Sequence, residues 1–129
     1  MHGSLKRIDA HVHIVGNARG GNGCWVRPSP LRWPLQAIMI RHIGLPISAL
    51  EGDLDALFAA QLLRFVRESS LDAAVILAQE QVYDSHGKLM EDYGTAYVPN
   101  DYVLRLAREN PEFLPAVSIH PARPDAIDE

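Results

Sequence analysis

The sequence predicts an α/β protein with a parallel sheet, and three observations carry that prediction. Strand-like and helix-like patterns alternate along the chain in the order strand, helix, strand, helix, strand. Residues 73–78 read AAVILA, a continuous apolar run that is typical of a strand covered on both faces. The chain has 129 residues, 47% of them apolar, which is enough for one domain with a core. Right-handed crossovers between the strands are expected.

The first strand, 7–14, carries Asp9, His11 and His13 at every second position. Because successive side chains of a strand point to opposite faces, we expect these three to share one face. Two imidazoles at that spacing can reach one cation, and neutral imidazole suits zinc and related first-row metals. A solvated polar face is the alternative interpretation that these residues leave open.

Residues 15–34 follow this strand and hold four glycines and three prolines, which predicts a long loop. The loop carries Trp25, Trp33 and Arg32, and aromatic and guanidinium groups suit an aromatic or carboxylated substrate. A surface loop anchored by two tryptophans is the other interpretation.

The remaining chain supplies two main helices and two strands. A short helix is predicted over 34–43, and a longer one begins after Asp53 as the N-cap. A second loop, 79–99, precedes a helix capped by Asn100, and a third strand spans 113–119 with His120 at its end. The inward face of the long helix is predicted to hold Leu54, Leu57, Phe58, Leu62, Phe65 and Val66, with Gln61, Arg64 and Arg67 on the outer side.

Charge and composition exclude several classes of function. The net charge is −4 and no basic run occurs, so a nucleic-acid partner is not expected. Cys24 is the single cysteine, which rules out an intramolecular disulfide, and residues 1–7 lack the apolar core of a signal peptide. No apolar run approaches the ~20 residues of a membrane span. We therefore expect a cytoplasmic protein with a small-molecule substrate and no membrane partner.

Two architectures fit the order of elements: an open doubly wound sheet, and the first three units of a (β/α)₈ TIM barrel. The first strand is not followed by a glycine-rich phosphate loop and a helix, which disfavours a dinucleotide site. A barrel would place Asp9, His11 and His13 in its interior near the C-terminal mouth. The sequence thus favours the N-terminal three β/α units of a TIM barrel.

The stretch IDAHVHI, 8–14, resembles the first strand of the amidohydrolase superfamily, which opens with a hydrophobic-D-x-H-x-H signature. Residues 100–121 are similar to the segment that leads into the third strand of its amidohydrolase-related branch, a group of metal-dependent hydrolases and decarboxylases. The resemblance implies a divalent metal, zinc in the first place, bound by His11 and His13. Asp9 would accept a ring N–H of these ligands. His120 is a candidate substrate contact.

A complete barrel takes about 250 residues, so we expect 1–129 to form one partial domain, truncated before the remaining strands. The complete barrel would be the enzyme, and the 129 residues alone would be inactive. As partners we expect either a second copy of the chain, in a homo-oligomer, or another chain that completes the barrel. Two alternatives stay open. One is a TatD-like metal-dependent deoxyribonuclease, which shares the H-P ending of the third strand. The other is a non-catalytic module that folds against a partner.

Overall fold

The computed structural model describes residues 6–128 and contains two small sheets and three α-helices. The main sheet is parallel and has the strand order β1-β3-β5, so that β3 is central. A second, antiparallel pair consists of β2 and β4. The strands are β1 (Ile8–His13), β2 (Trp25–Val26), β3 (Ala73–Leu77), β4 (Ala96–Tyr97) and β5 (Phe113–Ala116). The helices are α1 (Trp33–His42), α2 (Leu54–Glu68) and α3 (Asn100–Glu109), with a 3₁₀ helix at Ile47–Glu51.

The predicted α/β class and the three adjacent parallel strands are confirmed. The main core lies on one side of the sheet, where Ala74 and Ile76 of β3 join buried side chains of α2 and α3. Val75 and Leu77 of β3 stay partly exposed. The expectation that this strand is covered on both faces is therefore met only in part, since Val75 and Leu77 are half-buried.

Two helix N-caps were predicted, and the structure confirms one of them. Asp53 accepts the backbone N–H of Ala56 at 3.1 Å, which confirms it as the N-cap of α2. Asn100 is instead the first residue of α3, after Pro99. Its side-chain amide bonds to the backbone of Ser118, donating to the carbonyl at 3.1 Å and accepting from the N–H at 2.9 Å. Asn100 thus ties α3 to the segment that follows β5.

The inward face of α2 differs from the predicted one. Leu57 and Phe65 are 42% and 40% exposed, whereas Asp55 and Gln61 are buried. Gln61 donates through Nε2 to the carbonyl of Ile43 at 2.7 Å. Polar side chains can occupy the inner face because the preceding loops bring backbone groups to it, and buried polar groups need such partners.

The two long loops contact each other. Within 15–34 and 79–99, Trp25 pairs with Tyr97 and Val26 with Ala96. Both loops begin where a parallel strand ends, so they lie at the C-terminal edge of the sheet. None of the helices formed by residues 6–128 has the length and apolar content that crossing a bilayer requires.

Candidate functional site

The imidazoles of His11 and His13 meet at the end of β1. Their Nε2 atoms are 3.0 Å apart, and the ring centroids lie 4.9 Å apart with an interplanar angle of 74°. Both side chains are exposed. One ring donates a hydrogen bond to the other, and the tautomers decide which does so. The two nitrogens therefore converge on one point in space.

The strand that carries this pair is irregular. Asp9 pairs with Ala74 of β3, but Val12 pairs with Ile76, so that two residues of β1 lie opposite one of β3. This shift in register interrupts the strict alternation from which a shared face of the three polar residues was predicted. Asp9 Oδ1 accepts the backbone N–H of His11 at 3.1 Å. The observed bond of this carboxylate is thus to the main chain, whereas the sequence predicts a bond to an imidazole.

The histidine pair lies on the side of the sheet away from the main core. Val12, between the two histidines, packs against the core. His13 pairs in register with Leu77, which is itself partly exposed. The imidazoles are consequently open to a ligand that approaches the uncovered face.

The metal donors available to this site within the described chain are two nitrogens. Among residues 6–128, no group of three or more His, Cys, Asp or Glu side chains is arranged to hold a metal ion. Zinc takes three or four protein ligands in most sites. Two nitrogens bound tetrahedrally at about 2.05 Å stand roughly 3.3 Å apart. The separation of 3.0 Å between the histidines is close to that value.

Three of the predicted substrate residues, Trp25, Arg32 and Trp33, lie in the segment from β2 to the start of α1. The ring of Trp25 lies 6.2 Å from that of Tyr97, and the guanidinium of Arg27 lies 5.8 Å from the Trp25 centroid. These loops border a surface depression of about 370 Å³, lined by Trp25, Val26, Arg27, Pro28, Gln81, Leu89 and Glu91. The histidine pair does not line it. Arg32 directly precedes α1, and Trp33, its first residue, is 49% exposed.

His120 lies in the segment after β5 and contacts the second loop. Its ring is 5.5 Å from that of Tyr83, and its Nδ1 accepts the N–H of Ala122 at 3.2 Å. Close to it in the sequence, Arg123 bonds to Glu80 at 2.8 Å in an ion pair whose side chains are 12% and 9% exposed. This pair joins the end of the described chain to the residues after β3.

A buried carboxylate that the sequence analysis did not single out organises the first loop. Asp55, in the first turn of α2, is fully buried. Its Oδ1 accepts the backbone N–H of Asn17 at 2.8 Å, and its Oδ2 accepts from Nδ2 of Asn22 at 3.1 Å. Burial, together with the charge of Asp55, raises the pKa of the Cys24 thiol to about 12. An aspartate in a first helical turn is usually a surface residue, so no pattern marks this one.

Glycines allow the loop to approach this carboxylate closely. A Cβ on Gly16 would lie 2.3 Å from Asp55 Oδ1, and a Cβ on Gly20 would lie 2.8 Å from Asp55 Oδ2. Only a residue without a side chain fits at such distances. The spacing of these glycines is the one sequence signal that is consistent with a close contact here.

The chain matches no protein-family model, no curated protein and no solved structure. The similarity of 8–14 and 100–121 to the amidohydrolase superfamily therefore stays a prediction from the sequence.

Proposed function

We propose that this chain forms the first three β/α units of an amidohydrolase-type TIM barrel and carries part of its metal site. The activity would be hydrolysis or non-oxidative decarboxylation of a small carboxylated or aromatic substrate. The observation that carries the proposal is the convergence of His11 and His13, with 3.0 Å between their Nε2 atoms. The parallel order β1-β3-β5 supports it, because consecutive strands of such a barrel are neighbours.

The residues present fit one part of a divalent metal site. His11 and His13 would bind the ion through Nε2, and the remaining ligands would have to come from outside the described residues, from another strand or another chain. Zinc is the first candidate because imidazole nitrogen is among its preferred ligands. A bound divalent ion would supply a Lewis acid for a carbonyl or carboxylate group.

The loops after β1 and β3 would contribute the contacts to substrate. They pair through β2 and β4 and begin at the C-terminal edge of the sheet, where sites of this fold are built. Arg32 is exposed and would bind a substrate carboxylate, because guanidinium matches carboxylate geometry. Trp25 and Trp33 would flank an aromatic ring, and His120 would contact the substrate from the segment after β5.

Zinc titration tests the metal site. We expect the 129-residue chain to bind one zinc ion weakly, since two ligands are fewer than a stable site requires. The double variant His11→Ala/His13→Ala should lose that binding. His42→Ala/His86→Ala is the matched control, because both of its histidines are exposed and neither belongs to the pair. If the His11/His13 variant still binds one equivalent, the proposed site is wrong.

A second candidate function is that of a module completed by another chain. It is favoured by β1, which forms an edge of the sheet. Every residue of this strand except the partly buried Val12 is exposed. Exposed edge strands present backbone groups on which a further strand can pair. Size-exclusion chromatography with mass detection tests this candidate, and a monomer at all concentrations would exclude self-association.

A further inference from the structure

The rings of His11 and His13 are turned toward each other. Side chains two positions apart leave a strand in parallel directions about 6.5 to 7 Å from each other. Here the ring centroids are 4.9 Å apart and the Nε2 atoms 3.0 Å. The convergence occurs where the register between β1 and β3 shifts, between Asp9 and Val12.

Asp9 is the residue whose side chain acts on the backbone at this point. A bulge leaves one residue of the longer strand outside the ladder. Asp side chains commonly bond to a backbone N–H two positions on, and such bonds compete with regular pairing. Asp9 Oδ1 does this with the N–H of His11, at 3.1 Å. The carboxylate of Asp9 thereby provides a hydrogen-bond acceptor for the backbone N–H of His11.

We propose that Asp9 is a positioning residue whose carboxylate holds the irregularity in β1 and so turns the His11 ring toward His13. It acts through the main-chain amide of His11 and not through a ring nitrogen. The consequence for metal affinity rests on the proposed function, whereas the effect on the two rings exists without metal. This role differs from that of a carboxylate that polarises a metal-bound imidazole, which requires negative charge.

Uncharged acceptors separate these two roles. Asp9→Asn and Asp9→Ser keep an oxygen that can accept the His11 N–H but remove the charge, whereas Asp9→Ala removes both. Asp9 is exposed, so all three variants are expected to fold, which far-ultraviolet circular dichroism checks. Asp101→Ala, at an exposed site in the first turn of α3, is the matched control.

The first readout is made without metal. Nuclear Overhauser contacts between the ring protons of His11 and His13 should persist in the Asn, Ser and control variants and disappear in Asp9→Ala. Contacts that persist in Asp9→Ala would overturn the proposal. Contacts that are lost in both Asn and Ser variants would also overturn it, because they would show that charge and not the acceptor oxygen is needed.

The second readout is zinc affinity, measured by competition with a chromophoric chelator. Asp9→Ala should weaken zinc binding about tenfold, and Asp9→Asn by no more than about twofold. If His11→Ala/His13→Ala binds zinc as tightly as the parent chain, the proposed function is wrong. The role of Asp9 is then still decided by the contacts between the two rings. A tenfold loss in Asp9→Asn would assign the effect to charge and overturn the positioning role.

Discussion

Replacing Asp55 with alanine should strongly destabilise the fold. The side chain is fully buried, and its two oxygens accept bonds from Asn17 and Asn22 at 2.8 and 3.1 Å. The variant leaves the N–H of Asn17 and the amide of Asn22 without this acceptor and opens a cavity against the Cys24 thiol. The first loop would then lose its attachment to α2.

The expected loss follows from the two bonds. A hydrogen bond to a charged group contributes about 1.5 to 3 kcal/mol, so two of them contribute about 3 to 6 kcal/mol. Burial of the carboxylate costs free energy in the folded state, and its removal recovers part of that loss. We therefore expect Asp55→Ala to lower the free energy of unfolding by about 3 to 5 kcal/mol. Asp55→Asn should cost about 1 to 2 kcal/mol, because one oxygen remains while the new amide meets the Asn22 donor.

Urea unfolding followed by tryptophan fluorescence measures these differences. With a slope of about 1.5 kcal/mol per molar urea, the alanine variant should unfold about 2 to 3 M earlier than the parent chain. Asp92→Ala is the control, since Asp92 is exposed and should change stability by less than about 0.5 kcal/mol. If the two alanine variants unfold at the same urea concentration, the carboxylate does not hold the loop.

Three further variants or conditions test other parts of the structure. Burial raises the pKa of Cys24 from 9.0 to about 12, so the folded chain at pH 9 should react with iodoacetamide at least about tenfold more slowly than the unfolded chain. For the same reason, stability should fall as the pH rises from 9 toward 12, and equal alkylation rates would contradict this. Arg67 bonds to Glu112 and lowers the pKa of that carboxyl, so Arg67→Ala should raise this pKa toward 4.5 in a carbon-detected NMR titration. The stabilisation from the pair should be present above pH 4.5 and be lost as the pH falls below it. An unchanged titration curve would count against the pair. Gly16→Ala should lower the free energy of unfolding in urea by about 1 to 3 kcal/mol, because the new Cβ would lie 2.3 Å from a buried carboxylate oxygen. Gly52→Ala is the control, since its Cβ would meet nothing closer than 3.6 Å.

Local sequence patterns predicted the positions of the helices and strands well. Two candidate capping residues show that such patterns do not predict contacts between residues distant in the sequence. Asp53 and Asn100 both stand at the start of an apolar-periodic segment, and either side chain can cap a helix. Asp53 does so, since its Oδ1 accepts the N–H of Ala56 in its own helix. Asn100 finds a better partner in Ser118, 18 positions away, and no local rule reports a contact at that distance.

The candidate site divides in the same way. That His11 and His13 lie close enough to share a ligand was predictable, because a spacing of two along one strand allows it. The irregularity beside Asp9 was not, since it depends on how β1 and β3 align. The burial of Asp55 and Gln61 was not predictable either, because the inner face of α2 is completed by loop segments that come earlier in the chain.

The attachment of the first loop to Asp55 divides that loop into two parts with different capacity for evolutionary change. Residues 16–24 are tied to α2 through buried contacts, and substitutions there alter the fold itself. Leu31 is 91% exposed and Trp33 is half-exposed, so their neighbourhood can accept new side chains without loss of the core. Descendants of such a chain could therefore exchange residues around Arg32 while the strand that carries the histidines keeps its shape.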